Sequence, residues 1–345
     1  MKKYFSSILC RNGYMTAFNT IYKKDYTSRV FLIPDGDDFE RAVFFERLIN
    51  NLRGYSITLF NPFYDDCTDG IYIENINTYI LSDGGYNRIS PILTGVWEKP
   101  FSIVSEKTYP ADILRNVLNL KAKENNYYKN ACEKLKSASG VREKLHSQIP
   151  LNDDKLINYI NRFCSRFLKN SATTSKGTVR MLSSITPLGF HTHYDTLFSN
   201  MKYTFEFNDK CGFVGSVFLG VIKDYAVRKN IPFIMSPAYF CTDIPQVLTL
   251  PTADLNIILT DENHKLPYEP TERITSARFI NDTKILDDEK NEALLSVENR
   301  LIDKAVLSVY EGRDCRFKYN DLIRGYSDND EATKNADNLC ERLMI

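Results

Sequence analysis

The chain repeats itself at one long offset. Sliding the sequence by 176 positions aligns the halves without a gap around Gly13 and Gly189, Asn19 and Asp195, Thr20 and Thr196, Phe31 and Phe207, and Gly36 and Gly212. A single long period means two related domains rather than a solenoid of short repeats. Whatever the first copy folds into, the second must be able to fold into as well. A length of 345 residues leaves room for two cores.

Each copy reads as alternating strands and helices. In the first, residues 3–9 form a strand ending at the turn Arg11-Asn12-Gly13, and Phe18 to Tyr22 reads as a short helix. Val30 to Ile33 is a buried strand closed by Pro34-Asp35-Gly36-Asp37. A helix over about 39–52 places Val43, Phe44, Leu48 and Leu52 on one face, and strands follow at 56–60, 71–73 and 78–81. The second copy gives strands at 180–185, 203–207, 233–236, 247–250 and 256–260, with a helix over about 214–228. This order implies mainly parallel sheets covered by helices. Residues 111–145 and 153–168 are strongly helical. The expected buried stripe of the first runs through Ile113, Leu114, Val117, Leu118, Tyr128, Ala131, Cys132, Leu135, Val141 and Leu145. Further helices are expected over 289–310 and 330–343, and Asn170 to Thr178 reads as a linker. The expected domains are therefore 1–170, with a helical insertion at about 111–168, and 171–345.

A strand, a short loop and a helix are the setting of a phosphate-binding loop, GxxxxGK[ST]. There converging N–H groups and a lysine hold phosphate, and a hydroxyl holds Mg²⁺. Both copies lack the lysine. In the first, Pro34-Asp35-Gly36-Asp37-Asp38-Phe39-Glu40 puts Phe39 at the lysine position and Glu40 at the hydroxyl position. A carboxylate ~5 Å from a phosphate charge, at an effective dielectric of ~20, costs roughly 3 kcal/mol. The helix N-terminus returns at most ~1–2 kcal/mol. The first loop, with Gly36 and the strand-end Asp83 as remnants of the site, is therefore expected to bind no nucleotide, and its acids to cap a helix. In the second loop, Asn208-Asp209-Lys210-Cys211-Gly212-Phe213-Val214-Gly215-Ser216, the hydroxyl position survives as Ser216. A weak anion or nucleotide site at Lys210, Gly212, Gly215, Ser216 and Asp261, with ATP and Mg²⁺ as ligands and residual triphosphatase activity, is the alternative there.

Several stretches carry a further likeness: Ile185-Thr186-Pro187-Leu188-Gly189, Asp65-Asp66-Cys67-Thr68-Asp69-Gly70-Ile71 and Leu250-Pro251. The strand ends Ile80-Leu81-Ser82-Asp83-Gly84 and Ile258-Leu259-Thr260-Asp261 and the helical stretch Tyr127 to Leu145 join them. Taken in order, these segments resemble a family of uncharacterised bacterial ATPases built from two tandem P-loop halves. The resemblance implies P-loop NTPase folds: two three-layer α/β/α domains, each with a helical elaboration, packed pseudo-symmetrically. It also implies ATP binding, from which this chain departs at the binding residues of both halves. The resulting expectation is a non-catalytic, pseudo-ATPase binding or assembly module with an unidentified protein partner and no cofactor.

Other features are weaker. The formal net charge is zero, so no overall field draws the chain to nucleic acid or anionic membrane. Eight scattered cysteines without a CxxC pair read as reduced thiols of a cytoplasmic protein. The segment before Cys10 has too short an apolar run for a lipoprotein signal, and no run reaches a membrane span. His191, His193 and Asp195 have an HxHxD spacing, but the aligned Met15, Ala17 and Asn19 do not share it, and a solvated turn is expected there instead of a metal. The basic stretch Lys121 to Lys144 is interleaved with Glu124, Glu133 and Glu143, as in a solvated helix face.

Overall fold

A computed structural model describes residues 2–22, 27–52, 56–63, 67–84, 89–168, 177–198, 201–238, 242, 244–261 and 266–343. Most of the expected linker, together with Asp65, Asp66, Cys241 and His264, lies outside the described residues. The chain is α/β, with two mixed six-stranded sheets flanked by helices.

The first half runs β1 (Lys2–Phe5), β2 (Ser7–Cys10), β3 (Gly13–Thr16), α1 (Phe18–Ile21), β4 (Arg29–Ile33), α2 (Asp38–Asn51), β5 (Ser56–Phe60), β6 (Thr68–Ile73), β7 (Thr78–Ser82), β8 (Glu98–Pro100), α3 (Ala111–His146) and α4 (Asp153–Phe167). The second runs β9 (Thr178–Val179), β10 (Ser183–Thr186), β11 (Gly189–Thr192), α5 (Tyr194–Phe198), β12 (Tyr203–Asn208), α6 (Phe213–Arg228), β13 (Ile234–Pro237), β14 (Pro245–Leu250), β15 (Leu255–Thr260), β16 (Glu272–Thr275), α7 (Glu289–Ile323) and α8 (Asn329–Leu343). The first sheet has the order β1-β5-β6-β7-β4-β8 and the second, read from its other edge, β9-β13-β14-β15-β12-β16. In each, only the third strand is reversed relative to the rest. One topology is thus built twice, and matched positions keep matched backbones: Gly13 and Gly189 have φ of 107° and 114°, and Gly36 and Gly212 have 81° and 70°.

Three departures from the sequence pattern have physical causes. The expected strand 3–9 breaks at Ser6, because β1 pairs with β5 whereas β2 turns out of the sheet into a hairpin with β3. The expected strand 180–185 is likewise displaced, into β9 before it, which pairs with β13, and β10, which begins only at Ser183 and turns into a hairpin with β11; the copies meet where Phe5 N–H donates to Met181 O at 2.7 Å. Third, α7 extends to Ile323, past Gly312. A Cβ at 312 would lie 2.6 Å from Tyr128, so the glycine lets α3 and α7 pack closely at a local helix cost of about 1 kcal/mol.

The grouping in space also crosses the chain order. Helix α4 buries Leu156, Ile160 and Phe163 in the second sheet's core with Phe205, Phe207 and Phe218. Helix α8 buries Ala332, Ala336, Leu339 and Leu343 in the first sheet's core with Phe44, Phe45 and Ile80. Each half therefore sends its last helix to the other, and α3 and α7 pair along their length between them. No helix among the described residues is long and apolar enough to cross a membrane.

Candidate ligand cavity in the first half

The C-terminal end of β4, the N-terminus of α2 and the facing parts of α3 and α7 enclose a cavity of about 780 Å³, lined among others by Gly36, Asp38, Arg41, Asp69, Lys121, Glu124 and Arg316. Crevices beyond the carboxyl ends of strands are where ligands enter open α/β sheets. Gly36 is required in its wall: its φ is positive, and a Cβ would come within 2.7 Å of Ile103.

The helix end itself is closed. Asp37 caps α2 by accepting N–H bonds from Phe39 and Glu40, both at 3.0 Å, and Glu40 accepts the Asp37 N–H at 2.9 Å, completing a capping box. Lys107 bridges Asp37 at 3.1 Å and Glu40, and Ser327, ahead of α8, donates to Asp37 at 2.7 Å. The position that a phosphate would take at a helix N-terminus is thus filled by the chain's own carboxylates. Asp83 keeps a structural partner, accepting the Ile89 N–H at 2.8 Å.

Asp38 is gripped by Arg316 through two bonds of 2.7 Å and by Asn320 at 2.8 Å. Burial pushes its carboxyl up, but the Arg316 guanidinium and the Asn320 amide outweigh burial and hold it well below the usual range. Asp69 and Glu124 go the other way. Burial raises Asp69 despite hydrogen bonds from Ser6 at 2.6 Å and Asn61 at 3.3 Å. Burial also raises Glu124, whose Oε1 has Arg316 at 3.9 Å and no hydrogen-bond donor. Lys121 rests 5.2 Å from the Tyr319 ring centre, and its pKa is lowered first by burial and then by Arg41 and Arg316. The cavity therefore combines carboxylates and cations with an apolar mouth. Leu114 and Leu118, expected in the buried stripe, are 46% and 57% exposed and line that mouth, because the cavity separates this part of α3 from the opposing core.

The helix end of the second half is closed as well. Asp209, only 1% exposed, turns its carboxylate onto the α6 N-terminus and accepts the N–H groups of Gly215 at 2.8 Å and Cys211 at 3.3 Å. Ser216 Oγ donates to Gly212 O, and Lys210 pairs with Asp287 at 3.1 Å and Glu292 at 3.6 Å. Gly215 is needed for packing, since a Cβ there would meet Leu259 at 2.2 Å. The Arg142–Glu298 ion pair and the His146 ring, tilted against Phe213 and 3.0 Å from Cys211 O, stand beside this loop, and a Cβ at Gly212 would meet Arg142 at 3.1 Å. A shallower pocket of about 360 Å³ remains beside Lys210 and Asp287. Asp261 follows the end of β15 and does not line it.

His191 and His193 lie edge to face, with Phe5 stacked on His193 at 4.4 Å, and burial lowers His193 to about 4. Among the described residues no three potential ligands gather for a metal. The first-half cluster joins residues far apart in the chain, although the sequence carries a sign of it. Glu124 and Arg316 sit on the buried stripes of α3 and α7, in line with Val117 and Tyr128 and with Val309 and Tyr319. Charged residues at such positions need partners.

Comparison with protein-family models, curated proteins and solved structures gives no match.

Proposed function

We propose that this protein is a non-catalytic binding module of P-loop-NTPase-like ancestry whose ligand enters the first-half cavity rather than either loop. The observation that carries the reading is the contrast between equivalent places. One half keeps an open, charged cavity of about 780 Å³ beside its loop, and the other sets Arg142, Glu298 and His146 against its own. Two copies of one topology that diverge in this way point to a single working site. Both helix ends support the non-catalytic part. Their N–H donors are taken by Asp37 and Asp209, and neither loop has a lysine at the position that stabilises charge in phosphoryl transfer, which is Phe39 in the first and Gly215 in the second.

The test is a thermal-shift screen of small polar compounds on the wild type and on Leu118→Trp, which narrows the mouth at an exposed position. At 100 times its Kd a ligand stabilises by about 2.7 kcal/mol, so compounds that raise Tm of the wild type should leave Leu118→Trp unmoved. Hits that act equally on both proteins would remove the cavity from the account.

A further inference from the structure

Two cations of the cavity wall define a ligand class, and this inference rests on the cavity being the binding site. The lining carboxylates already have donors, apart from Glu106, which is exposed. Asp35 accepts from Ser102 and from the Ile103 N–H at 2.9 Å, and Asp37 holds Lys107 and Ser327 besides capping α2. Asp38 is held by Arg316 and Asn320, and Asp69 by Ser6 and Asn61 among others. Glu124 has Arg316 at 3.9 Å and a hydrogen bond from the Tyr319 hydroxyl. The lining cations divide differently. Lys107 is committed to Asp37 and Glu40, and Arg316 to Asp38. Arg41 and Lys121 form no ion pair among the described residues. Arg41 donates through Nη1 to Ser82 Oγ at 3.0 Å and through Nε to Asp37 O at 3.4 Å, which leaves Nη2 without an acceptor among the described residues. Lys121 rests on the Tyr319 ring. The two are close enough for Arg41 to disfavour the charge on Lys121, a repulsion that an anion between them would relieve.

We propose that this cavity binds a small, singly charged organic anion: a carboxylate with a short apolar tail. Its carboxylate lies between Arg41 and Lys121, and its tail points to Leu114 and Leu118. A carboxylate gives both cations a charged acceptor, and hydrogen bonds between charged groups are the strong ones. The tail covers the two leucines, 46% and 57% exposed at the mouth. An ammonium group would find the inner acceptors already provided with donors, beside two cations. A phosphate would bring a second negative charge among six lining carboxylates, and the helix N–H groups suited to it are capped by Asp37. A neutral ligand would leave Arg41 and Lys121 as they are.

The experiment is calorimetric titration of the full chain with 4-methylpentanoate and 3-phenylpropanoate. Acetate is the control without a tail, 4-methylpentanamide the uncharged control, leucine the zwitterion and inorganic phosphate the anion of higher charge. Lys121→Gln is the main variant because Lys121 is exposed; Lys121→Arg keeps its charge, and Arg41→Gln is the second site. At least one of the two carboxylates should bind, and each control should be at least tenfold weaker. Lys121→Gln and Arg41→Gln should each weaken the carboxylate at least tenfold, and Lys121→Arg should restore most of the loss. Binding of the amide, of leucine or of phosphate as tight as that of the carboxylate would overturn the assignment. So would Lys121→Gln without effect, or Lys121→Arg as weak as Lys121→Gln. If neither carboxylate binds but another class of compound stabilises the wild type and not Leu118→Trp, the cavity remains a ligand site and the anion is wrong. If no compound separates those two proteins, both readings fall.

Discussion

Arg316→Leu should cost about 3–5 kcal/mol in urea unfolding, the range for removing one partner of a buried ion pair. Arg316 and Asp38 are both largely buried, and the substitution leaves Asp38 with the Asn320 amide as its remaining close donor. The loss should depend on pH in a defined direction. In the wild type Asp38 sits below its ordinary value, so its contribution is present above that value and lost as pH falls towards the folded one. Without Arg316 the largest lowering influence is gone and only Arg41 and the Asn320 amide oppose burial, so the folded value rises. Stability of the variant should therefore gain less than that of the wild type as pH rises through that window, and the gap to wild type should be widest near neutrality. The double variant Asp38→Asn/Arg316→Leu, which buries no charge at this position, should recover part of the loss. A loss below about 1 kcal/mol for the single variant, the scale of an exposed pair, would mean that the pair is not buried as described.

Leu339→Ala tests the crossing of the terminal helices, and about 2–5 kcal/mol is expected for a fully buried leucine. Leu339 is fully buried in the core that contains Phe44, on the first sheet, although it lies in the second half of the chain. Double-mutant cycles then locate it. Leu339→Ala should couple to Phe44→Ala by about 0.5–3 kcal/mol and add independently to Phe218→Ala. Leu156→Ala on α4 should show the opposite preference, since it shares its core with Phe218. Coupling of Leu339 to Phe218 in place of Phe44 would contradict the crossed arrangement.

Much of the fold is legible in the sequence because it rests on local pattern. The apolar run Val30 to Ile33 before Pro34, the facial spacing of Phe44 and Leu48, and the matched glycines at 36 and 212 are each readable within a few residues. The crossing of α4 and α8 is not, because their apolar faces specify burial without naming the sheet that buries them. The strand breaks at Ser6 and beyond Val179 depend on which strand is the hydrogen-bonding partner, which is a non-local fact. The cavity divides in the same way. The acids of the first loop are visible, and their role as helix caps follows from Asp37 and Glu40 standing three residues apart. Counting those acids as bare charges overstates the repulsion in the loop, because Lys107 and Arg316, far along the chain, neutralise Asp37 and Asp38. Nor does the second loop's surviving hydroxyl reveal that Asp209 turns inward onto the same N–H groups a phosphate would need.

The most direct test of the central claim, that both helix ends are closed by the chain's own carboxylates, is calorimetric titration with Mg-ATP and Mg-GTP. The wild type and Ser216→Ala should both give no binding heat up to millimolar nucleotide. Micromolar binding to the wild type that Ser216→Ala abolishes would show the second loop to be a nucleotide site and contradict the account.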